Sequence, residues 1–127
     1  MEKTITVDLF LKNAEKLKQK TKIKIFVEEL GAEIDFEPLS REKYIDLIVG
    51  DTSDRDSEII YYSCKALRDD TLIEKLQCGS NPVEVVGKVF SGNTIYALAS
   101  TILKESGYSF ENASDVVKVI HDDIKNS

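Results

Sequence analysis

The sequence predicts an α+β fold that is mostly α, in which an N-terminal β-hairpin precedes a compact bundle of about five short helices. Two runs of alternating polar and apolar residues on either side of Gly31 predict the hairpin, because successive side chains of a strand point to opposite faces. From Ser40 onward, apolar residues recur at spacings of three and four, the periodicity of an amphipathic helix. The length of 127 residues fits one domain.

An apolar motif, formed by Leu9, Phe10 and Leu11, lies near the start of the chain. It is too short to fold alone, and its residues are candidates for docking on a partner. The helical spacing of Leu9, Phe10, Asn13 and Leu17 predicts a helix of one or two turns before a lysine-rich stretch.

The hairpin is predicted from residues 22–27, which alternate and are rich in β-branched side chains. A second strand carries Ile34 and Phe36, and Pro38 either ends it or marks it as an edge strand, because proline cannot donate a hydrogen bond to a neighbouring strand. The turn is placed at residues 29–32.

The first helix of the body is predicted to begin after Ser40, a favourable N-cap residue, and to end at Gly50. Its apolar face is expected to contain Tyr44, Leu47 and Ile48. An acidic loop and cap then lead to a helix that carries Ile60, Cys64 and Leu67, and residues 69–71 cap a shorter helical turn. The helical sequence therefore continues to about residue 76.

The clearest local signal is Asn81, Pro82 and Glu84, in the positions of an N-cap, a first helical residue and a capping-box partner. They predict a short helix that ends near Phe90. The longest amphipathic stretch follows and stops at Gly107; its apolar stripe is Ile95, Leu98, Ala99, Ile102 and Leu103. A last helix is predicted from Ser114, with Val116, Val117, Ile120 and Ile124 as its apolar residues.

Composition and charge exclude several classes of protein. With 42% hydrophobic and 31% charged residues, the chain is neither disordered nor fibrous in make-up. A net charge of −6 argues against a general nucleic-acid binder, which needs excess cations to neutralise phosphates. Asp8 and Lys12 interrupt the first residues, which therefore hold no apolar stretch of signal-peptide length, and no apolar run reaches transmembrane length, so we expect a cytosolic protein that binds neither nucleic acid nor membrane.

Positive charge is concentrated at the N-terminus, where residues 1–24 hold seven of the 17 basic residues but three of the 23 acidic ones. We therefore divide the chain into an N-terminal basic arm (1–21) and a single domain (22–127), which consists of the hairpin (22–39) and a helical body (40–127). The lysines form either a solvated linker or protected strand edge, or an electrostatic handle for an acidic partner or RNA. No aromatic residue lies among them, which counts against base stacking.

The residue chemistry does not support an enzyme. His121 is the only histidine, which excludes a His-rich metal site, and Cys64 and Cys78 lie too far apart for a CxxC motif. Neither a glycine-rich phosphate loop nor a nucleophile turn is present. We expect two free thiols, no catalytic residue, no metal and no cofactor, which leaves protein–protein interaction as the class of function.

The order of these elements and several short motifs resemble the tail assembly chaperones of contractile-tailed phages and of defective prophages of Gram-positive bacteria. The resemblance covers about residues 8–110. The segments that carry it are DLFLKN (8–13), IDFEPLSREKY (34–44), IIYYSC (59–64), LIEKL (72–76), NPVEVV (81–86) and ILKESGY (102–108).

The resemblance implies a non-enzymatic protein that binds the tape-measure protein and keeps it soluble during tail assembly. Such a protein acts in the host bacterial cytoplasm and is absent from the mature virion. The candidate partners are the tape-measure protein, the tail tube protein and a second copy of the chain. The alternative function is a small phage or host adaptor that binds a single globular target.

The candidate partner-binding residues lie in three places: the N-terminal motif, the edge of the first strand and the tyrosine pair of a helix. They are Leu9, Phe10, Leu11, Ile25, Val27, Tyr61 and Tyr62. For each of them, packing inside the chain's own core is the alternative interpretation. A tape-measure protein exposes long amphipathic helices, so a chaperone for it needs an apolar surface and an acidic exterior that keeps the complex in solution.

Overall fold

The computed structural model describes residues 2–18, 22–50 and 54–108. In chain order the elements are α1 (Glu2–Lys18), β1 (Ile23–Val27), β2 (Ala32–Phe36), α2 (Arg41–Val49), α3 (Arg55–Ser63), a 3₁₀ turn (Lys65–Arg68), α4 (Asp70–Lys75), a 3₁₀ turn (Pro82–Glu84), α5 (Val85–Val89) and α6 (Gly92–Glu105). The predicted α+β, mostly α fold, with a hairpin ahead of a set of short helices, is confirmed. The helix predicted from Ser114, and His121 within it, lie outside the described residues.

The N-terminal helix is much longer than the one or two turns predicted, because α1 spans 17 residues. The segment contains no glycine or proline, and its second half is rich in alanine, leucine, lysine and glutamate, which have high helix propensity. Part of the lysine-rich stretch is therefore helical: Lys16 and Lys18 lie in the last turn, where positive charge opposes the negative end of the helix dipole.

The hairpin is a two-stranded antiparallel sheet in which Ile23 pairs with Phe36 and Val27 pairs with Ala32. The predicted alternation is confirmed on β1, where Ile23 and Val27 are buried. The turn occupies residues 28–31, one residue earlier than predicted, because Ala32 already pairs in β2. Gly31 has a φ of 66°, which glycine adopts without the steric cost of a side chain.

The core lies where β1 and β2 meet α3, α5 and α6. Its largest fully buried side chains are Phe36, Ile59, Ile60, Ser63, Val85, Val86 and Ile102. The stripe predicted for α6 faces this core: Leu98, Ala99 and Ile102 are buried, and α3 is the helix that α6 packs against most extensively. The hydroxyl of Ser63 is buried and has no hydrogen-bond partner within the described residues.

Several helix boundaries differ from the prediction. Ile60, Cys64 and Leu67 are all buried, but α3 ends at Ser63 and Leu67 lies in the following 3₁₀ turn. The chain turns at Cys64, whose backbone is extended. In α2 the expected apolar face is only partly correct, because Leu47 is buried whereas Ile48 is 48% exposed.

The caps are also partly as predicted. The hydroxyl of Ser40 accepts a hydrogen bond from the backbone N–H of Lys43 at 3.1 Å, and the carboxylates of Asp54 and Asp69 cap α3 and α4 in the same way. Asn81 and Pro82 occupy the predicted N-cap and first helical positions, but the predicted capping box is wrong, because the side chain of Asn81 makes no capping hydrogen bond. Pro82 begins a 3₁₀ turn there, and this turn continues into α5.

The hairpin is attached to α6 at both ends of that helix. At the N-terminal end, the carboxylate of Glu29 accepts a hydrogen bond from the backbone N–H of Ser91 at 3.0 Å. At the C-terminal end, the N–H of Leu39 donates to the hydroxyl of Ser106, and the hydroxyl of Tyr108 donates to the carbonyl of Leu39, both at 3.0 Å. These bonds fix the orientation of the sheet on the helical body.

Candidate functional site

The most exposed apolar element of the described chain is α1. Every α1 side chain from residue 5 to residue 18 is exposed, including Phe10 at 69% and Leu17 at 66%. None of them belongs to the core cluster. A soluble protein rarely leaves contiguous apolar surface uncovered unless that surface binds something.

The apolar residues of α1 fall on two faces of the helix. Residues three or four positions apart share a face, so a continuous stripe runs along one side. This α1 stripe consists of Val7, Phe10, Leu11, Ala14 and Leu17. Ile5 and Leu9 lie on the opposite side.

The predicted motif is thereby divided, since Phe10 and Leu11 belong to the α1 stripe and Leu9 does not. Sequence reasoning missed Val7 and Ala14 as members of the stripe. Their spacing of three and four from Phe10 and Leu11 is the signal that finds them once the helix is known to extend to Lys18.

The two candidates on β1 differ in burial. Val27 is only 4% exposed and packs in the core, so its side chain is not available to a partner. Ile25 is half-buried and packs against the core from its edge. Phe26, between them, is 61% exposed on the other face of the sheet. Sequence reasoning missed Phe26, although an aromatic residue at the outward position of an alternating strand is a signal for an exposed apolar side chain.

The two candidate tyrosines contact each other in an edge-to-face arrangement, with ring centroids 5.1 Å apart. Tyr61 is half-buried against the core, whereas Tyr62 is at the surface. The ammonium nitrogen of Lys43 lies 4.0 Å from the centroid of the Tyr62 ring, a cation–π contact between α2 and α3. Both rings are therefore engaged by side chains of their own chain.

A second exposed apolar patch, which the sequence did not predict, lies on α2. It consists of Ile45 (41% exposed), Ile48 (48%) and Val49 (78%). The prediction had assigned Ile48 to the buried face of this helix. The patch is smaller than the α1 stripe and lies on a helix whose other side is held by Leu47 in the core.

A groove runs between β1 and α6, and we refer to it as the β1–α6 groove. It comprises two adjacent cavities of about 330 and 440 Å³, both lined by Ile25, Phe26 and Thr101. Ala97 and Leu98 extend this lining along α6.

The charges at the two ends of the β1–α6 groove differ. Glu28 and Glu29 lie at the end near the hairpin turn. Lys22, Lys24 and Glu105 lie at the other end, and both lysines also form salt bridges with Asp35 of β2. One end is therefore acidic, and the other is close to neutral.

A larger concavity, of about 1280 Å³, lies between β2 and the segment of residues 65–70. Its charged lining has both signs, with Lys65 and Arg68 facing Asp69 and Asp70 along one wall. The guanidinium of Arg68 is held by a 2.7 Å hydrogen bond to the carbonyl of Tyr61. This groove is open, and apolar side chains such as Ile34 and Phe36 line it together with the charged ones.

Among the described residues, Glu29 and Tyr108 have shifted pKa values, and both belong to the contacts that hold the hairpin on α6. Hydrogen bonds from Ser91 lower the pKa of Glu29, so this carboxylate stays ionised at the acidic end of the β1–α6 groove. Burial raises the pKa of Tyr108.

Cys64 and Cys78 are free and buried, as the sequence predicts. Residues 2–18, 22–50 and 54–108 contain no cluster of three or more His, Cys, Asp or Glu side chains suited to a metal ion.

Comparison with protein-family models, with curated proteins and with solved structures finds no match. No helix in the described part of the chain combines the length and the apolar character that a membrane span requires.

Proposed function

We propose that the chain is a non-enzymatic tail assembly chaperone, which binds the tape-measure protein and keeps it soluble in the host bacterial cytoplasm while the tail is assembled. The observation that carries the proposal is the α1 stripe, which is apolar over its whole length and exposed in the isolated chain. The sequence resemblance described above supplies the identity of the partner.

The α1 stripe suits an amphipathic helix of a partner. Phe10, Leu11 and Leu17 are each about two-thirds exposed, so covering each of them contributes about 1 to 2 kcal/mol before the cost of association. The gross gain from a stripe of this size supports a reversible complex of modest affinity, which a chaperone needs in order to release its client.

The charge of the chain supports the same function. The net charge of −6 opposes self-aggregation of a complex that carries long apolar helices. The positive charge of Lys18, in the last turn of α1, lies beside the α1 stripe and favours a client with acidic residues next to its apolar face.

The alternative is an adaptor for one globular target. The groove of about 1280 Å³ beside β2 favours this alternative, because its mixed charges suit the polar surface of a folded protein. The two functions predict different binding surfaces, so variants of α1 separate them.

Co-expression with the tape-measure protein tests the proposal. We expect that its gene lies next to the gene for this chain, on the side away from the tail tube gene, and that it is unusually long. The soluble fraction of the tape-measure protein is measured with the wild-type chain and with the double variant Phe10→Asp/Leu17→Asp. The matched control is Ile5→Asp/Leu9→Asp, which makes the same charge change on the opposite side of α1.

We expect the stripe variant to lower the soluble fraction several-fold, to the level without chaperone, and the control variant to retain most of the activity. Equal solubility with the wild-type chain and the stripe variant would overturn the proposed role of α1. If, in addition, the chain captures a single folded protein and not the tape-measure protein, the adaptor is the function.

A further inference from the structure

The outer edge of β2, on the side away from β1, carries backbone groups that the described part of the chain does not pair. The sheet there has two strands, so β2 pairs on one side only. The N–H of Glu37 donates to the carbonyl of Ser63, which lies outside the sheet, at 2.7 Å. Because the N–H and C=O groups of a strand point alternately to its two sides, those of Glu33 and Asp35 also point away from β1. Within residues 2–18, 22–50 and 54–108, Glu33 and Asp35 make no backbone hydrogen bond outside the hairpin.

An open concavity borders this edge over most of its length. It is the concavity of about 1280 Å³, lined by residues 33–37 on one side and by the segment of residues 65–70 on the other. A paired strand lies about 4.8 Å from its neighbour, on the side to which these backbone groups point. We infer that the outer edge of β2 receives, as a third strand, an extended segment of a partner protein in which basic and apolar residues alternate.

The side chains of β2 determine this alternation. Glu33 and Asp35 are exposed on the outer face of the sheet, whereas Ile34 is half-buried on the core face. On the other side of β2, β1 places Lys24 opposite Asp35 and Ile25 opposite Ile34. The ammonium nitrogen of Lys24 lies 3.3 Å from Oδ1 of Asp35. A third strand with the alternation of β1 makes equivalent contacts on the free edge, because directly opposite side chains of paired strands touch.

Charge at the edge selects a partner over a second copy of the chain. If two β2 strands paired about a two-fold axis, the acidic side chains of Glu33, Asp35 and Glu37 would face those of the other copy. Like charges directly opposite each other destabilise a strand pair, and edge strands use them to prevent such pairing. The wall of residues 65–70 carries both signs of charge, so β2 determines the preference for a basic segment.

The site does not depend on the proposed function, because α1 is not among the described elements that line the concavity. In strand addition, backbone hydrogen bonds provide affinity and the alternate side chains provide specificity. The chain therefore has a second binding surface, which a partner strand can occupy while the α1 stripe is engaged.

Amide hydrogen exchange measured by NMR tests the site, with the full chain and a short probe peptide in which lysine and valine alternate. In the free protein we expect fast exchange at Glu33 and Asp35 and slow exchange at Ile34, whose N–H points toward β1. The peptide should slow exchange at Glu33 and Asp35 about tenfold or more and leave Ile34 nearly unchanged. The matched control is the same peptide N-methylated at every lysine, which removes the N–H groups that face β2 and should abolish binding.

Reversal of one charge tests the preference for a basic segment. Glu33→Lys should weaken binding of the lysine peptide about fivefold and improve binding of a peptide with glutamate in place of lysine. Glu28→Lys makes the same charge change in the hairpin turn, outside the concavity, and should alter neither affinity appreciably. Equal effects of the two variants would overturn the inference, because the peptide would then respond only to the net charge of the chain.

Failure of the lysine peptide to bind also overturns the inference, and so does binding that leaves exchange at Glu33 and Asp35 fast, because the peptide then uses another surface. Slow exchange at both amides in the free protein overturns it as well, since the edge is then already covered. These outcomes are distinct from failure of the proposed function. Glu33→Lys leaves the α1 stripe intact and should keep the tape-measure protein soluble, whereas Phe10→Asp/Leu17→Asp should still bind the lysine peptide.

Discussion

The hydroxyl of Tyr108 connects the end of α6 to the segment that follows the hairpin, and its removal is a sharp test of how the sheet is held. Tyr108 stacks on Tyr44 with ring centroids 4.2 Å apart and an interplanar angle of 6°. Its hydroxyl donates to the carbonyl of Leu39 at 3.0 Å. Tyr108→Phe removes only the hydrogen bond, whereas Tyr108→Ala also removes the stacked ring.

The expected magnitudes follow from these contacts. Loss of one neutral hydrogen bond at a partly buried site lowers the free energy of unfolding by about 1 kcal/mol in Tyr108→Phe. Loss of the ring adds about 1 kcal/mol for the aromatic pair and a similar amount for the apolar area, so Tyr108→Ala loses about 3 kcal/mol. For a chain of this length, 1 kcal/mol corresponds to about 3 to 5 °C in Tm.

Urea unfolding monitored by circular dichroism measures both variants. Tyr96→Phe is the matched control, because it also removes a tyrosine hydroxyl, but from a side chain of α6 that is 69% exposed. Its free energy of unfolding should stay within about 0.5 kcal/mol of the wild-type value. If Tyr108→Phe is as stable as the control, or if Tyr108→Ala costs no more than Tyr108→Phe, the account of this contact is wrong.

Three further predictions concern caps and turns. Ser40→Ala should cost about 1 kcal/mol of unfolding free energy in urea titrations, and Ser91→Ala less, because the Ser91 hydroxyl caps no backbone N–H. The lowered pKa of Glu29 means that its stabilising effect is present above the ordinary glutamate pKa of 4.5 and is lost as the pH falls through the lowered pKa of the folded state; Glu29→Gln should flatten this part of the stability profile. Gly107→Ala should lower stability by about 1 to 2 kcal/mol in thermal melts, because its φ of 93° strains any residue with a Cβ atom; an unchanged Tm would contradict this.

Local chemistry explains why much of the fold is predictable from the sequence. The alternation around Ile23 and Phe36 predicts both strands, since a period of two leaves only one way to bury one face. The stop at Gly107 is equally local: its N–H donates to the carbonyl of Lys104, and the N–H of Tyr108 donates to the carbonyl of Leu103.

The differences arise where tertiary contacts or chain context override local signals. Residues 81–84 have the sequence of a capping box, but the helical segment begins with a 3₁₀ turn at Pro82, and the side chain of Asn81 does not cap it. Cys64 has helical spacing from Ile60, yet α3 ends at Ser63. Cys64 is buried although its backbone is extended, and Leu67 is buried from the 3₁₀ turn that follows. Burial can be predicted here from periodicity, whereas the exact helix ends cannot.

The candidate site shows the same division. Phe10 and Leu11 were predicted as partner-binding residues and are exposed on α1, but the grouping with Leu9 rested on adjacency in sequence, whereas a helix groups residues three or four apart. Val27 was proposed from its place on an exposed strand, yet its side chain points into the core. Val27 shares its strand face with Ile23 and Ile25, so the alternation itself assigns Val27 to the face that the core covers.

The proposed function places the α1 stripe in contact with the tape-measure protein, and site-specific photo-crosslinking tests this contact most directly. A photoreactive phenylalanine analogue replaces Phe10 in one sample and Ile5, on the opposite side of α1, in another, and each chain is co-expressed with the tape-measure protein and irradiated. We predict a covalent adduct with the tape-measure protein from position 10 and little or none from position 5. No adduct from position 10, in a sample where the two proteins still co-purify, would contradict the account.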